Sequence, residues 1–113
     1  MIRGEVWWAE LGTPYGSEPG FTRPVLIVQD DSFNESRIKT IVVLPLTTNL
    51  RLLNATGNVF LSKKDSNLTD DSVIIVAQLY AIDRSRFKEK VSKVSQAILP
   101  QVEAGMKLVL GLS

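Results

Sequence analysis

The sequence predicts a mainly β protein: a small, largely antiparallel barrel with one helix at its C-terminal end. Short apolar runs rich in β-branched residues recur at residues 25–28, 40–46 and 72–76, and such runs between turn formers are typical of buried strands. The segments between the runs are too short for helical crossovers, so neighbouring strands should pair antiparallel. Convincing helical spacing of apolar residues is confined to residues 95–112.

Composition limits both the architecture and the chemistry. A chain of 113 residues, 44% hydrophobic and 22% charged, suits a single globular domain at residues 1–113. With a net charge of +1, any polyanion must bind to a local patch of cations. The absence of Cys and His excludes disulfides, thiolate metal sites, cysteine nucleophiles and a histidine proton shuttle. We therefore expect no metal or other cofactor, and catalysis through Arg, Lys, Thr, Ser, Tyr, Asp or Glu.

The sequence also indicates a cellular location. No apolar run is long enough to cross a membrane, and no signal-peptide pattern opens the chain. We therefore expect a cytoplasmic protein that has no membrane partner.

The first predicted strand covers residues 2–11 and carries two Trp residues. Side chains alternate between the faces of a strand, so Val6 and Trp8 share one face and Trp7 and Ala9 share the other. Because each face carries a Trp, we expect at least one of them at a cleft or a subunit contact. The alternative is that both belong to the core.

The strand at residues 22–29 carries a candidate anion-binding residue, Arg23. The aliphatic run at residues 25–28 predicts burial on both faces, and Pro24 should be the first residue of the strand because it lacks a ladder N–H. Arg23 then stands at the mouth of a buried strand, beside the Gly-, Pro- and Ser-rich loop of residues 12–20. A fixed cation beside a polar loop suits an anion site. The alternative is that Arg23 pairs with a neighbouring carboxylate.

The next segment, residues 30–37, is polar and predicts a loop or a single helical turn capped by Asp30 or Asp31. It leads into a second apolar strand at residues 40–46. Pro45 interrupts this strand near its end, which predicts a bulge or a sheet edge there.

Polar residues follow two of the buried strands. Thr47, Thr48 and Asn49 come directly after residues 40–46 and offer small hydroxyls and an amide for ligand hydrogen bonds. The alternative is an ordinary Thr/Asn turn. Gln78 follows the strand at residues 72–76 and must find partners if it is buried. It is therefore either a structural clamp or a group that contacts a ligand.

A basic run at residues 84–93 alternates cations with other residues. The cations are Arg84, Arg86, Lys88 and Lys90. In a strand they would share one face, which suits an RNA-binding surface. Cations on an edge strand also prevent unwanted strand pairing, which is the alternative interpretation.

The predicted helix at residues 95–112 begins either with Ser95 as its N-cap or with Pro100 as its first residue. Its apolar stripe consists of Ile98, Val102, Gly105, Met106, Val109 and Leu110. A glycine within this stripe predicts close packing against the sheet. Leu108 and Leu112 lie off the stripe and leave apolar surface for a second subunit.

Five motifs, taken in order, resemble those of the MazF/PemK family of type II toxins, which are ribosome-independent mRNA interferases. They are Arg-Gly-Glu-Val-Trp at 3–7, Gly-Ser-Glu at 16–18, Arg-Pro-Val-Leu-Ile-Val at 23–28, Leu-Pro-Leu-Thr at 44–47, and Gln78 with Ile-Asp at 82–83. The likeness runs from Arg3 to about Leu112, so it covers nearly the whole chain.

This resemblance implies a compact SH3-like antiparallel barrel of the type found in CcdB and MazF toxins. It implies a homodimer that holds single-stranded mRNA in a groove between its subunits. Cleavage would be metal-independent and sequence-specific, by attack of the 2′-hydroxyl to give 2′,3′-cyclic phosphate and 5′-hydroxyl ends. It also implies a cognate antitoxin whose disordered C-terminal tail blocks the RNA groove.

The resemblance also implies three catalytic residues. Arg23 and Thr47 stand where the family has its catalytic arginine and threonine, and Glu18 stands at a loop glutamate implicated in some members. Arg23 would stabilise the charge of the phosphorane, Thr47 would hold a phosphate oxygen, and Glu18 would serve as general base. The alternative for Glu18 is that it binds a base edge or forms a salt bridge with Arg23.

Predicted RNA contacts come from four further residues: Ser17, Gln78, Gly16 and Thr48. Ser17 and Gln78 stand at positions that contact RNA bases in some family members. The chain departs from the family at Pro19, which should stiffen the loop and replaces a common Gln. Two other departures are Ala77, in place of an acidic residue, and Tyr80, in place of an Arg.

Two other functions remain open at this point. One is a non-catalytic toxin or binding module on the same barrel that acts on a protein target such as gyrase. The other is a nucleic-acid-binding module that uses the basic run of residues 84–93 without cleavage.

Overall fold

A computed structural model describes residues 1–18 and 20–112. The prediction that Pro19 stiffens the first loop lies outside the described residues. Within that part of the chain, the strands are β1 (Glu5–Glu10), β2 (Thr22–Ile27), β3 (Thr40–Thr47), β4 (Val59–Leu61), β5 (Ser72–Ile74), β6 (Tyr80–Asp83) and β7 (Phe87–Lys93). The α-helices are α1 (Asp31–Asn34), α2 (Lys63–Ser66) and α3 (Ile98–Leu110).

The strands pair antiparallel in the order β4-β5-β3-β2-β1-β7. The central strand, β3, changes partner along its length: residues 40–43 pair with β6, and Leu46 and Thr47 pair with β5. Because β3 also pairs with β2 through residues 43–45, this one strand takes part in three ladders. The predicted architecture, a largely antiparallel sheet with a C-terminal helix, is confirmed.

The expectation that Pro24 begins its strand is wrong, and of the two alternatives at Pro45 the structure shows a local sheet edge and no bulge. Pro24 is the third residue of β2 and pairs with Trp8, whereas pairing of β2 with β3 begins only at Val25. Pro45 shifts no register between β2 and β3, and it lies where β3 passes from β6 to β5. Each proline thus stands where one side of its strand has no ladder partner, so its missing N–H breaks no ladder hydrogen bond.

Buried apolar side chains form two clusters on opposite faces of the central strands. Along β2, Leu26 joins the first cluster and Val25 and Ile27 join the second, as the alternation of a strand requires. All three side chains are fully buried. The predicted burial of this strand on both faces is therefore confirmed. The first cluster also takes Ile98 and Val102 from α3, which fixes the helix against the sheet.

Helix α3 begins at Ile98, so neither Ser95 nor Pro100 marks its start. Ser95 caps nothing with its side chain; its backbone carbonyl accepts a hydrogen bond from the Ile98 N–H. Pro100 lies within the first helical turn, where a missing N–H costs no helical hydrogen bond. Further along, a Cβ at Gly105 would collide with the carbonyl oxygen of Gly57. The predicted close approach of the helix at this glycine is therefore present.

The C-terminal turn of α3 is largely exposed. Val109 and Leu110, expected on the packed stripe, are 40% and 51% exposed, so the packed part of the stripe ends before them. Leu108 and Leu112 are exposed as expected. The last turn is therefore apolar on both sides. Among the described residues, no helix is long and apolar enough to cross a membrane.

Short helical turns occupy several predicted loops. The turn predicted at residues 30–37 is α1, and Asp30 caps it by accepting a hydrogen bond from the Ser32 N–H. The sequence analysis missed α2, which Ser62 caps, and a 3-10 helix at Leu50–Asn54, which Asn49 caps. Polar capping residues explain why these connections are helical.

Strand β7 lies at one edge of the sheet, and the cations of the basic run bind neighbouring groups. The Arg84 guanidinium donates to the carbonyl oxygens of Ile38, Phe33 and Asn34. Arg86 donates to the carbonyl of Glu10, and Lys88 and Lys90 form ion pairs with Glu10 and Glu5. These contacts favour the interpretation in which the run protects and fastens an edge strand.

Candidate active site

Arg23 and Thr47 lie on neighbouring strands, just beyond the end of the ladder that joins them. The β2–β3 ladder ends at the pair Val25–Pro45, and each of the two residues lies two positions past that pair on its own strand. Both residues lie where the buried part of a strand ends, and both side chains are partly exposed. The two predicted catalytic residues therefore share one end of the sheet.

Both side chains line a cavity of about 370 Å³, termed here the Arg23 cavity. Its other lining residues include Trp8, Phe21, Thr22, Pro24, Leu46, Thr48, Leu68, Thr69, Asp70 and Ser72. The walls combine a guanidinium, hydroxyls, a carboxylate and two aromatic rings. Such a mixture suits a nucleotide, because a phosphate takes the cation and hydroxyls while a base stacks on a ring.

Arg23 forms no ion pair within the described part of the chain. The ion pairs found there are Arg3–Glu103, Lys88–Glu10 and Lys90–Glu5. The alternative, in which Arg23 pairs with a neighbouring carboxylate, is therefore not observed among these residues. A rigid guanidinium at a cavity wall suits a phosphate group.

Thr47 holds its own turn and keeps a donor. Its Oγ1 accepts a hydrogen bond of 3.2 Å from the Asn49 N–H, and Asn49 Oδ1 accepts one of 3.3 Å from the Arg51 N–H. Because the Thr47 oxygen is an acceptor in this contact, its hydroxyl hydrogen can point into the cavity. The turn interpretation and the ligand interpretation of these residues are thus compatible.

A second cavity, of about 480 Å³, holds the other predicted residues and is termed the Gln78 cavity. Its lining includes Ser17, Glu18 and Gln78, together with Leu11, Thr13, Tyr15, Leu79 and Tyr80. Gln78 Nε2 donates a hydrogen bond of 3.2 Å to the Ser17 carbonyl oxygen. Gly16 lines neither cavity. The structure thus groups Arg23 with Thr47 and Thr48, and Glu18 with Ser17 and Gln78.

Tyr80 links the two cavities electrostatically. Burial raises the pKa of its phenol to about 12; the charges of Arg23 and Arg86 oppose this rise, and the Glu18 carboxylate adds to it. One phenol therefore senses both Arg23 and Glu18, the predicted catalytic groups that line different cavities. At neutral pH the Tyr80 hydroxyl is protonated and is a hydrogen-bond donor.

A third cavity, of about 400 Å³, continues from the Arg23 cavity. It shares Thr48 and Asp70 with that cavity and adds Leu50, Lys63 and Asp71. Thr48 therefore stands at the junction of two polar depressions. An extended strand of nucleic acid that crosses Thr48 would meet a cation on either side of it, at Arg23 and at Lys63.

Residues 2–110 match the family described as PemK-like, MazF-like toxin of type II toxin-antitoxin system. The chain belongs to this family. The resemblance inferred from the five motifs is confirmed by this match.

The relatives of this MazF-like chain span its whole length. It is 36% identical over 112 residues to Endoribonuclease MazF6 of Mycobacterium tuberculosis, which covers 99% of this chain and 98% of that protein. It is 34% identical over 111 residues to Endoribonuclease MazF of Staphylococcus epidermidis, covering 98% of this chain and 92% of that protein.

Solved structures share the fold of this MazF-like chain. An endoribonuclease in complex with its cognate antitoxin, from a mycobacterial species, superposes with a TM-score of 0.81 at 23% identity, covering 100% of this chain and 97% of that one. MazF from Deinococcus radiodurans gives 0.82 at 21% identity, covering 99% and 97%. The predicted fold class is thereby confirmed.

Sequence analysis missed two lining residues of the Arg23 cavity in this MazF-like chain. Phe21 is 66% exposed and adopts a positive φ of 59°, a conformation that bulky residues rarely take and that often occurs at functional sites. An aromatic residue directly before Thr22 and Arg23 was the available signal. Asp70 reaches the cavity from a segment distant in sequence, which no motif indicates. Trp8 meets the expectation that one Trp lies at a cleft.

Metal-ligating side chains do not gather in this MazF-like chain. Among the described residues, no group of three or more Asp or Glu side chains lies close enough to hold a metal ion.

Proposed function

We propose that this protein is the toxin of a type II toxin-antitoxin system and cleaves single-stranded mRNA at a specific sequence. The observation that carries the proposal is that Arg23 and Thr47 line one cavity, in a chain whose full-length relatives are named endoribonucleases. We take residues 1–113 as one toxin domain.

The proposed reaction uses a nucleophile that RNA itself supplies. The 2′-oxygen attacks the adjacent phosphorus, a new P–O2′ bond forms, and the P–O5′ bond breaks. The products are a 2′,3′-cyclic phosphate and a 5′-hydroxyl. A carboxylate takes the proton of the 2′-hydroxyl, and the leaving 5′-oxygen takes a proton from water. The protein need only align the chain and stabilise the extra negative charge, so the reaction is metal-independent.

Arg23 supplies the charge stabilisation in this proposal. Its planar guanidinium fits two phosphate oxygens, and it stays protonated at any working pH, so it acts electrostatically and not as a proton donor. Loss of one such preorganised donor typically costs about 100- to 1,000-fold in rate. Thr47 adds a hydroxyl donor from the facing strand.

Glu18 is the proposed general base. It lies in the Gln78 cavity, on the loop that connects β1 and β2. The same loop lines the Arg23 cavity through Phe21, so a movement of the loop would bring the Glu18 carboxylate toward a phosphate held by Arg23. In the alternative, Glu18 binds a base edge and contributes to sequence recognition.

The remaining predicted residues serve RNA binding in this proposal. Thr48 contacts the RNA where the Arg23 cavity meets the third cavity. Ser17 and Gln78 contact bases from the Gln78 cavity, and the backbone of Gly16 lets the loop approach the RNA closely. The exposed ring of Phe21 offers a base-stacking surface beside Arg23.

Partners follow from the same proposal. We assign the apolar last turn of α3, with Leu108, Leu110 and Leu112, to contact with a second copy in a homodimer. A cognate antitoxin would inhibit the toxin by laying its C-terminal tail in the RNA groove. Related structures containing an antitoxin support this partner. Because its substrate is mRNA, we place the protein in the cytoplasm.

The proposal is tested by incubating purified protein with a long mixed-sequence RNA in EDTA and mapping both the cut sites and the end groups. We expect cuts at a recurring short motif that leave 2′,3′-cyclic phosphates. Arg23→Ala should cut about 100- to 1,000-fold more slowly. Arg37→Ala removes an exposed cation that lines neither the Arg23 nor the Gln78 cavity and should cut at the wild-type rate.

Two outcomes contradict the proposal. Equal rates for wild type and Arg23→Ala would remove Arg23 from the chemistry. No cuts by a folded wild-type protein would instead support a non-catalytic toxin that acts on a protein target.

A further inference from the structure

The hydroxyl of Tyr80 lacks a hydrogen-bond partner although its oxygen is buried. Among residues 1–18 and 20–112, no other buried side-chain nitrogen or oxygen atom lacks a hydrogen-bond partner. Its ring packs against the second core cluster, and the residue pairs with Val43 across the β3–β6 ladder. The backbone and the ring are therefore held firmly. Because the oxygen has almost no accessible surface, an acceptor from outside reaches it only when a neighbouring group that covers it moves aside.

An unpartnered buried hydroxyl disfavours folding, because the group gives up its bonds to water and gains none in return. Such groups are rare in native proteins and call for an explanation. A phenylalanine at this position would fill the same space without that penalty. The hydroxyl therefore has an unused hydrogen bond that a partner in a complex would fill.

The surroundings of Tyr80 indicate what that partner is. The residue lines the Gln78 cavity beside Glu18, and the charges of Arg23 and Arg86 reach its phenol. Because burial raises the phenol pKa to about 12, the group is a donor at neutral pH and requires an acceptor. Two guanidinium groups within electrostatic range favour an anionic acceptor over a neutral one.

We propose that the Tyr80 hydroxyl donates a hydrogen bond to a phosphate oxygen of the bound RNA, between the phosphate held by Arg23 and the loop that carries Glu18. This inference rests on the proposed ribonuclease function and adds a substrate-binding residue to it. Tyr80 fixes the RNA backbone where it passes from the Arg23 cavity into the Gln78 cavity, and thereby aligns the reacting phosphate.

The competing acceptor is the Glu18 carboxylate. If the β1–β2 loop closes, Glu18 could take the Tyr80 hydrogen bond, and Tyr80 would then position a protein group and not the RNA. In that case removal of the hydroxyl would have no effect once the carboxylate is also removed. The two acceptors are therefore separable by combining Tyr80→Phe with Glu18→Ala, since glutamine would keep an acceptor oxygen.

The first test compares Tyr80→Phe with wild type in cleavage rate and in thermal midpoint. We expect cleavage at least about 10-fold slower, the size of a lost hydrogen bond in the transition state, with an unchanged or higher midpoint. Ser36→Ala is the matched control, since the Ser36 hydroxyl has a partner, the Phe33 carbonyl, and lines none of the three cavities. It should lower the midpoint and leave the rate unchanged.

The second test measures binding of single-stranded DNA of the cleaved sequence, which has phosphates but no 2′-hydroxyl. Weaker binding of this DNA by Tyr80→Phe, in both the wild-type and the Glu18→Ala background, supports the phosphate contact. Weakening that disappears in the Glu18→Ala background overturns it in favour of the carboxylate, and loss confined to RNA overturns it in favour of the 2′-hydroxyl.

Other outcomes separate this inference from the function on which it rests. If Tyr80→Phe cleaves RNA within about two-fold of the wild-type rate, the role of Tyr80 is overturned and the proposed function still stands. A lower thermal midpoint in Tyr80→Phe would show that the hydroxyl has a structural partner. If the folded wild type neither cleaves RNA nor binds the DNA, the proposed function and this inference both fail.

Discussion

Gln78 donates a hydrogen bond of 3.2 Å from its side-chain amide to the backbone carbonyl oxygen of Ser17. Two residues predicted to contact RNA therefore contact each other, and the bond ties the β1–β2 loop to the 3-10 turn that precedes β6. Gln78 is a structural clamp in this state. An RNA that accepts a hydrogen bond from the Gln78 amide must displace the Ser17 carbonyl, so RNA binding and the position of the loop are coupled.

This contact gives a first prediction. Gln78→Ala should release the loop and speed hydrogen exchange at residues 12–18, because the side-chain donor is lost. Ser17→Ala is the matched control: the acceptor is the main-chain carbonyl, so this variant should keep the bond and the slow exchange. Equal exchange in wild type and Gln78→Ala would show that the contact does not hold the loop.

Much of the fold was predictable because local patterns determined it. The run at residues 25–28 has no polar side chain, so burial on both faces followed directly from the sequence. The position of Pro24 inside its strand was not predictable, because it depends on where a neighbouring strand starts pairing. The sequence of one strand does not contain that information.

The candidate site divides in the same way. Arg23 and Thr47 could be paired in advance, since each follows or precedes a recognisable buried strand and belongs to a family motif. Asp70 and the unpartnered hydroxyl of Tyr80 could not be identified from the sequence, because their significance depends on contacts between segments distant in sequence. The separation of Glu18 from Arg23 into two cavities was hidden for the same reason.

A second prediction concerns the hydroxyl of Thr47. Thr47→Val keeps the shape of the side chain but removes both the acceptor for the Asn49 N–H and the donor to the phosphate. We expect cleavage about 10- to 100-fold slower, while Thr47→Ser, which keeps the hydroxyl, should stay close to wild type. The measurement is the single-turnover cleavage rate. A slow Thr47→Ser variant would mean that the methyl group matters and the hydroxyl does not.

A third prediction distinguishes two carboxylates. Glu18 belongs to the family motif, yet the carboxylate that lines the Arg23 cavity is that of Asp70. If Glu18 is the base, Glu18→Gln lowers the rate at saturating RNA by about 100-fold or more and removes the acid limb of the pH–rate profile. Asp70→Asn should change RNA affinity or sequence preference with a smaller effect on that rate. The reverse result would transfer the role of base to Asp70.

A buried carboxylate at the start of β1 stabilises the fold away from the site. The side chain of Glu5 is almost fully buried, and its Oε1 accepts hydrogen bonds of 2.9 Å from the Ile2 N–H and from Trp7 Nε1. Its Oε2 lies 3.0 Å from Lys90 Nζ. Burial alone raises the pKa of Glu5, but the bonds from Trp7, Lys90 and Ile2 outweigh it and hold the pKa below 4.5. The ionised form is therefore the stabilising one.

A fourth prediction follows from the direction of this shift. Because the pKa of Glu5 is lower in the folded state, its ionised form stabilises the protein fully above the unfolded-state pKa of about 4.3, and this contribution is lost as the pH falls through the folded-state pKa. Glu5→Gln should lower the free energy of unfolding by only about 1–2 kcal/mol at pH 7, since Lys90 is half exposed and screened. At pH 3 the loss should be much smaller, because the Glu5 carboxylate is then being protonated.

Glu103→Gln, which removes only the ion pair with Arg3, should have little effect at either pH. Denaturant unfolding at both pH values measures these differences, and an equal loss for Glu5→Gln at pH 7 and pH 3 would mean that its charge does not stabilise the fold.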